Sequence, residues 1–506
     1  MQTGLMISTV LEVPGTKGAE LHEDIKKSSW KLWKTRRYII ALLGFGGFFM
    51  MYALRTNLSI AIVPMTEMKN ITSQNGTIIQ KREFDWDTQT QGYVLSSFFY
   101  GYILTPILGG YLAERFGGKK TLAVGIGVTS LLTVITPWVA RINVYLFILI
   151  RTLEGIFEGV SYPCIYSLWS KWAPPLERSR LLATSLSGSY VGIIVSMPVC
   201  SLLATSIGWE SIFYVFGTIG LLWTFLWVQF VGDSPEEDSR INNLELEYIT
   251  NSKAKVKNET KLRTPWIAMM KSLPVWAIIV ANVSDNWGFY TLLTELPKFM
   301  KHALHFDLNQ AGFISSVPYL VLSVSTVIGG HVADWFLRVS PFSTSAVRKI
   351  FNTISFMGQM LFLILAAYLM SPLPTTICFT LATGMAGFAA GGFGVNHLDI
   401  APEFAGTICG VALTLAVIPG IVSPILTGYI VTDEESTDEW KIVFYISACI
   451  YLIGIIFYVS FASGELQPWA MKIDSSKETH EEESRGETCE GSVNRSFQDE
   501  QISSNV

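Results

Sequence analysis

The chain has 506 residues, 50% of them hydrophobic and only 15% charged, where a soluble domain carries about 25% charged residues. A mean hydropathy of +0.39 and 41 glycines point to packed membrane helices. The net charge of −5 offers no basic surface for nucleic acid.

Residues 1–37 are a polar tail with no continuous apolar core, so no cleavable signal peptide is expected. From Tyr38 onward the chain holds twelve apolar stretches of the length a membrane helix needs, about 20 residues. They lie at 38–64, 91–113, 121–140, 144–168, 181–204, 211–231, 274–296, 310–335, 347–370, 373–396, 405–430 and 441–462, and are called spans 1 to 12. The polar segment 232–272 divides them six and six and reads as a linker. The organisation expected is a tail (1–37), a six-helix bundle (38–231), the linker (232–272), a second bundle (273–462) and a polar tail (463–506) that reads as disordered.

Lysines and arginines in short loops set orientation. Lys26, Lys27, Lys31, Lys34, Arg36 and Arg37 precede span 1, and basic residues follow spans 2, 4 and 8. The loops after spans 5 and 9 carry none. Lys69, Lys81 and Arg82 after span 1 blunt the contrast, yet both tails and the linker come out cytosolic. Asn70 and Asn75 each begin a glycosylation sequon in the loop after span 1, which agrees with an outer position. Asn258 and Asn494 begin sequons on the cytosolic side and are expected to stay bare.

Span 2 and its exit repeat in span 8 at an offset of 220 residues. Gly92, Tyr93, Ser96, Gly109, Gly110, Ala113, Glu114 and Phe116 match Gly312, Phe313, Ser316, Gly329, Gly330, Ala333, Asp334 and Phe336. Two direct six-helix repeats predict two bundles with a substrate path between them. Glu114, Arg115 and Asp334 at the span exits are candidates for a cytosolic gate through ion pairs between bundles, or for topology determinants alone.

An ionisable side chain in mid-bilayer costs about 2.5–3.5 kcal/mol, so each one is a candidate for function. Arg55 lies more than a turn from either end of span 1. It reads as an anion-binding residue or as a static partner for a carboxylate of span 4. Arg151, Glu154 and Glu158 of span 4 share one helix face. They read as a proton relay, with Arg151 holding one acid charged while the other titrates, or as a structural ion-pair knot. Asp285 in span 7 is a second proton or cation candidate or an alternative partner for Arg55; Glu295 in the same span reads as interfacial. Asn286 and Tyr290, in the same span, are candidates to contact substrate. None of the six histidines occupies a mid-membrane position, so any proton coupling falls to carboxylates. The six cysteines show no metal or disulfide spacing and read as packing residues. No metal site and no cofactor are expected beyond a coupling ion, proton or sodium.

Several strings carry a family resemblance: Leu54-Arg55-Thr56-Asn57-Leu58-Ser59, Arg151 through Pro163, Trp172-Ala-Pro-Pro-Leu-Glu-Arg-Ser179, Trp287-Gly-Phe-Tyr290, and Asn396-His-Leu-Asp-Ile-Ala-Pro402. They resemble the anion/cation symporter branch of the major facilitator superfamily, over about residues 38–462. That branch includes sialin, the vesicular glutamate transporters and the type I sodium–phosphate cotransporters. The resemblance implies an all-α fold of twelve membrane helices in two bundles. It also implies an anion site at Arg55 and proton coupling through Glu154 and Glu158. The chain departs from the vesicular glutamate transporters at Asp285, where they place arginine, and at Leu95, where they place histidine. Tyr166 stands where sialin has a histidine. The chain looks more like the invertebrate members described as inorganic phosphate cotransporters.

The expected function is cation-coupled symport of a small organic or inorganic anion by a monomer in the bilayer. An anion channel or an uncoupled facilitator of the same fold is the alternative, and an enzyme is not expected. With no acidic dileucine signal in the first tail, the plasma membrane is the expected location.

Overall fold

A computed structural model describes residues 35–72, 78–174, 177–254 and 264–470. Spans 1, 3, 5, 6, 7, 8, 9 and 12 are continuous helices: Arg36–Thr66, Gly118–Ile142, Arg178–Ser206, Glu210–Phe230, Leu273–His302, Leu308–Val339, Thr344–Leu369 and Thr437–Phe461. The other four are broken. Span 2 runs Thr88–Tyr102 and Thr105–Phe116, span 4 Val144–Glu158 and Ser161–Trp172, and span 11 Ala405–Leu415 and Ile418–Ile430. Pro106, Pro163 and Pro419 stand in the first turn of each second piece. There the missing N–H costs nothing, while the ring would clash with a continuing helix. Span 10 breaks at a 3-10 turn, Gly387–Gly391, between Pro372–Ala386 and Phe393–Ile400.

Among the described residues, nine helical segments are long and apolar enough to cross a membrane on their own. Spans 2, 4 and 7 fall outside that nine. These three carry most of the chemistry below. Exposed Leu131, Phe225, Val327, Leu361 and Ile453 turn outward from the bundles. Apolar surface of that extent suits lipid, not water.

Within the first bundle span 1 packs on span 5, span 2 on span 4 and span 3 on span 6. In the second, span 9 packs on spans 10 and 12. The bundles meet through spans 2 and 11, 5 and 8, and 1 and 7. The first two pairings exchange under the six-helix repeat, which explains why Gly92 and Gly312 correspond. A Cβ at Gly92 would sit 2.6 Å from the carbonyl oxygen of Pro424 in span 11, and one at Gly312 2.9 Å from that of Met197 in span 5. Each glycine lets a helix of one bundle touch the backbone of the other.

The two ends of the molecule differ. At the end holding the two-stranded hairpin Met68–Thr72 and Ile78–Arg82, the bundles are closed. Thr88 donates to Gly428 O at 3.0 Å, the hydroxyls of Tyr93 and Tyr429 lie 2.8 Å apart, and Lys301 pairs with Glu67 at 3.1 Å. Gln91 donates to Glu434 at 2.9 Å, and Glu434 also accepts from Lys298 at 3.0 Å. Burial alone would raise the Glu434 carboxyl, but Lys298 and His302 outweigh it and hold the group below the ordinary carboxylate value. Glu295, expected at an interface, is buried in the same helix one turn before Lys298.

At the opposite end, the linker end, the fold departs from expectation. Residues of the supposed coreless linker form the helices Asn243–Ala254 and Trp266–Lys271, and Ile249 is fully buried. Charge drives this packing. Arg36 pairs with Asp238 at 2.6 Å and Arg37 with Glu245 at 3.4 Å, and all four side chains are largely buried. The basic residues ahead of span 1 therefore anchor the linker as well as biasing topology. The hairpin was likewise not foreseen. Asn70 lies in its first strand, and Asn75, Asn258 and Asn494 fall outside the described residues.

Candidate functional site

Span 1 carries Arg55 in its buried middle, and span 4 presents Arg151, Glu154 and Glu158 before its break at Gly159. Gly155 allows the contact between spans 2 and 4, since a Cβ there would meet the backbone of Phe98 and sit 2.9 Å from Tyr102 N. All four ionisable residues are at most 5% exposed. The guanidinium of Arg55 donates to Glu158 Oε1 from Nη2 at 2.7 Å and from Nε at 3.1 Å. Arg151 donates to Glu154 Oε2 at 2.5 Å, and Thr133 and Thr136 donate to Glu154 Oε1 at 3.0 and 3.3 Å.

The two acids on one helix face therefore have different surroundings. Glu154 is held by three partners, all within the first bundle. Glu158 uses one oxygen on Arg55, and its Oε2 is buried with no hydrogen-bond partner. Arg55 Nη1 and Arg151 Nε are also buried without one. Rings of Tyr102, Tyr52 and Phe98 surround the Arg55 guanidinium at 4.6, 4.7 and 4.9 Å, a cation–π cage that offsets part of its desolvation.

Beside Arg55 and Arg151 lies a gap of about 10 Å³, lined also by Ser59, Leu95 and, from span 7 of the other bundle, Leu293 and Thr294. That is about the room one water or small ion needs. Its charged lining is two guanidiniums.

A much larger cavity, about 390 Å³, lies between the bundles. Tyr52, Tyr162 and Tyr190 line it from the first bundle, and Asp285, Asn286 and Gln359 from the second. It extends toward Leu186 of span 5 and Gly394 of span 10, hence toward the linker end. Tyr52 lines the cavity and also packs its ring against the Arg55 guanidinium.

The expected substrate contacts are thus distributed. Asn286 lines the large cavity, and its amide also donates to Asn282 O at 2.9 Å. Tyr290 is buried against Phe99, with ring centroids 4.7 Å apart, outside the lining of either space. Asp285 faces the large cavity and accepts a long 3.5 Å bond from Gln359, away from Arg55's pairing with Glu158. Glu114, Arg115 and Asp334 are exposed, and none forms an ion pair between bundles with a described residue; Arg115 donates to Tyr111 at 3.0 Å. The gate expected from them is not formed in this structure. Sequence reasoning missed Ser59, Thr294 and Gln359. Uncharged polar residues are common in packed membrane helices, and only their position marks these three. No cluster of possible metal ligands occurs among the described residues.

Comparison with known proteins agrees with this architecture. Residues 44–424 match the family described as the Major Facilitator Superfamily. Human sialin is 42% identical over 451 residues, covering 86% of this chain and 91% of its own. Human vesicular glutamate transporter 2 is 40% identical over 461 residues, covering 90% and 79%. Among solved structures, a bacterial homolog of the human lysosomal transporter Spinster, inward-facing and occupied, superposes with a TM-score of 0.68 at 14% identity, over 85% of this chain and 99% of its own. A D-xylose–proton symporter gives 0.62 at 16% identity, over 84% and 99%.

Proposed function

The chain belongs to the Major Facilitator Superfamily, in the branch that holds sialin and the vesicular glutamate transporters, and on that premise we propose that it is a proton-coupled symporter of a small anion. It is a multi-pass membrane transporter and not an enzyme. The observation that carries the finer reading is the gap between the bundles. Arg55 and Arg151 line it, Arg55 Nη1 and Arg151 Nε are buried without hydrogen-bond partners, and so is Oε2 of Glu158, which pairs with Arg55 through its other oxygen. Such orphaned charged atoms are costly unless a ligand satisfies them in part of the cycle.

In the proposed cycle an anion takes the place of Glu158 on Arg55, and Glu158 accepts a proton as it is released. Anion and proton then occupy the site together, and neither charge is left bare in the low-dielectric interior. Thr294 brings span 7 of the second bundle to the same gap, so filling it biases how the bundles rock. Glu154 and Arg151 hold the fixed side of the site.

The orientation follows the distribution of basic loops, with the hairpin end outside and both tails and the linker in the cytosol. The large cavity then faces the cytosol, and the closed hairpin end is the outer gate. Glu114, Arg115 and Asp334 would pair in the opposite, outward-open state. Asn70 and Asn75 are the proposed glycosylation sites of the outer loop. The plasma-membrane expectation rests on the first tail alone, and relatives named as vesicular pull the other way.

Closure of the outer gate gives a test in its own right. Gly92→Val places branched carbons against Pro424 and is expected to cut uptake at least about tenfold, about 1.4 kcal/mol, with protein still in the membrane. Gly110 faces open space, and Gly110→Ala is expected to have little effect. The proposed function as a whole is tested by uptake of labelled phosphate, sialate, glutamate, urate and simple monocarboxylates into proteoliposomes, under proton and sodium gradients imposed separately. Saturable accumulation of an anion driven by the proton gradient is the expected result. Conductance at channel rates with no accumulation would contradict it.

A further inference from the structure

The closed hairpin end holds a cluster of ionisable side chains that the transport cycle above does not use. Two ion pairs lie there, Lys298 with Glu434 at 3.0 Å and Lys301 with Glu67 at 3.1 Å. Glu434 Oε1 accepts from both Lys298 and Gln91, so one carboxylate ties the second bundle to the first. His302, past the end of span 7, places Nε2 3.3 Å from Glu434 Oε2. Burial outweighs the pull of Glu434 and holds this imidazole below its ordinary value, so it is uncharged at neutral pH. The charges of the two pairs cancel, and Glu295 is the carboxyl left over. It is 3% exposed and forms no hydrogen bond or ion pair with a described residue. The charged groups facing it are Lys298, on its own helix, and Glu434, on the segment between spans 11 and 12; the other elements packed on span 7 add none among the described residues. An ionised Glu295 would be a second buried anion beside Glu434 with one lysine to serve both, a charge excess that is costly away from water. A neutral Glu295 leaves the cluster balanced.

We propose that the closed gate at the hairpin end binds a proton of its own, on Glu295, and releases it when the bundles part there. Parting lets water reach the carboxyl, which then ionises. The ionised group competes with Glu434 for Lys298 and loosens the carboxylate that Gln91 of the first bundle holds. Acid at that end therefore closes the gate, and base opens it. The site is separate from Glu158: its proton follows the gate, and that of Glu158 follows the anion. The inference shares with the carrier reading only the rocking of the bundles.

The test reads the gate directly. Spin labels are placed on Ile207→Cys and Tyr368→Cys, one exposed position in each bundle at the hairpin end, in the full chain with Cys409, Cys449 and Cys489 changed to serine. The distance between the labels is recorded in lipid nanodiscs without substrate, from acid to alkaline pH. The expected result is a ratio of closed to open that falls up to about tenfold per pH unit on the alkaline side, as linkage requires of one bound proton. Glu295→Gln mimics the protonated carboxyl and is expected to stay closed with no response to pH. His302→Gln and Glu158→Gln are expected to keep the response. No response in the chain with Glu295 intact overturns the proposal. So does a response that survives Glu295→Gln, or one that disappears in His302→Gln or in Glu158→Gln. No substrate is present, so these outcomes are separate from uptake. Failure to accumulate any anion removes the carrier reading and leaves this inference to stand or fall on the gate.

Discussion

Arg55→Ala is expected to reduce uptake at least about a hundredfold, about 2.7 kcal/mol of lost transition-state stabilisation, with protein still present in the membrane. The side chain is 5% exposed and holds Glu158 through Nε and Nη2, while Nη1 has no partner. Removing it takes away the cation proposed to meet the substrate and also strands a buried carboxylate, a loss that costs about 3–5 kcal/mol when one partner of a buried pair is deleted. The double variant Arg55→Ala/Glu158→Gln separates these effects. It removes the stranded charge and restores thermal stability, yet uptake is expected to stay absent. If the pair were only a structural tie, the double variant would transport. Arg55→Lys should recover little, because a point-charge ammonium lacks the forked donors that reach both Glu158 and an anion. Normal uptake in Arg55→Ala would take Arg55 out of the site.

Glu158→Gln is expected to flatten the dependence of uptake on pH. A single obligatory proton changes occupancy up to about tenfold per pH unit on the alkaline side of its titration. The sign follows from competition. Protonating Glu158 ends its pairing with Arg55, so lower pH favours the anion and higher pH favours the closed ion pair. The glutamine variant mimics the protonated acid and is expected to bind the anion at neutral or higher pH while losing acid stimulation. Glu154→Gln should have a smaller effect on the pH profile. Glu154 is fixed by Arg151, Thr133 and Thr136 inside one bundle, and no substrate needs to displace it. Unchanged pH dependence in both variants would reject the carboxylate relay.

Much of this was legible in the sequence because membrane physics leaves few options. The twelve spans, the six-helix repeat and the isolation of Arg55, Arg151, Glu154, Glu158 and Asp285 all follow from apolar length and the cost of buried charge. The pairing of Arg55 with Glu158 joins spans 1 and 4 across 103 residues of sequence, and the sequence leaves it open between two readings. Helix periodicity puts Glu154 and Glu158 on one face but cannot say which of them faces span 1. The breaks lie at Pro106, Pro163 and Pro419, but Pro137, Pro198 and Pro318 sit inside unbroken helices, so proline alone does not mark where a span breaks. The linker packing had a signal that was assigned elsewhere. Arg36 and Arg37 were read as topology determinants, and they also pair with Asp238 and Glu245. The gate expected from Glu114, Arg115 and Asp334 forms no ion pair between bundles with a described residue in this structure. The division into an arginine gap and an Asp285 cavity had no sequence signature, because Ser59, Thr294, Gln359 and the tyrosines are brought together only by the meeting of the bundles.

The central claim is that anion and proton exchange places around one carboxylate, and proton uptake on anion binding tests it most directly. Purified protein in weakly buffered detergent solution is mixed with the anion that proteoliposomes accumulate, and the pH change is recorded alongside binding. The expected result is about one proton taken up per anion bound, as linkage requires when binding raises the affinity of one group for its proton, and none taken up by Glu158→Gln. Anion binding with no proton uptake, or with the same uptake in Glu158→Gln, would contradict it.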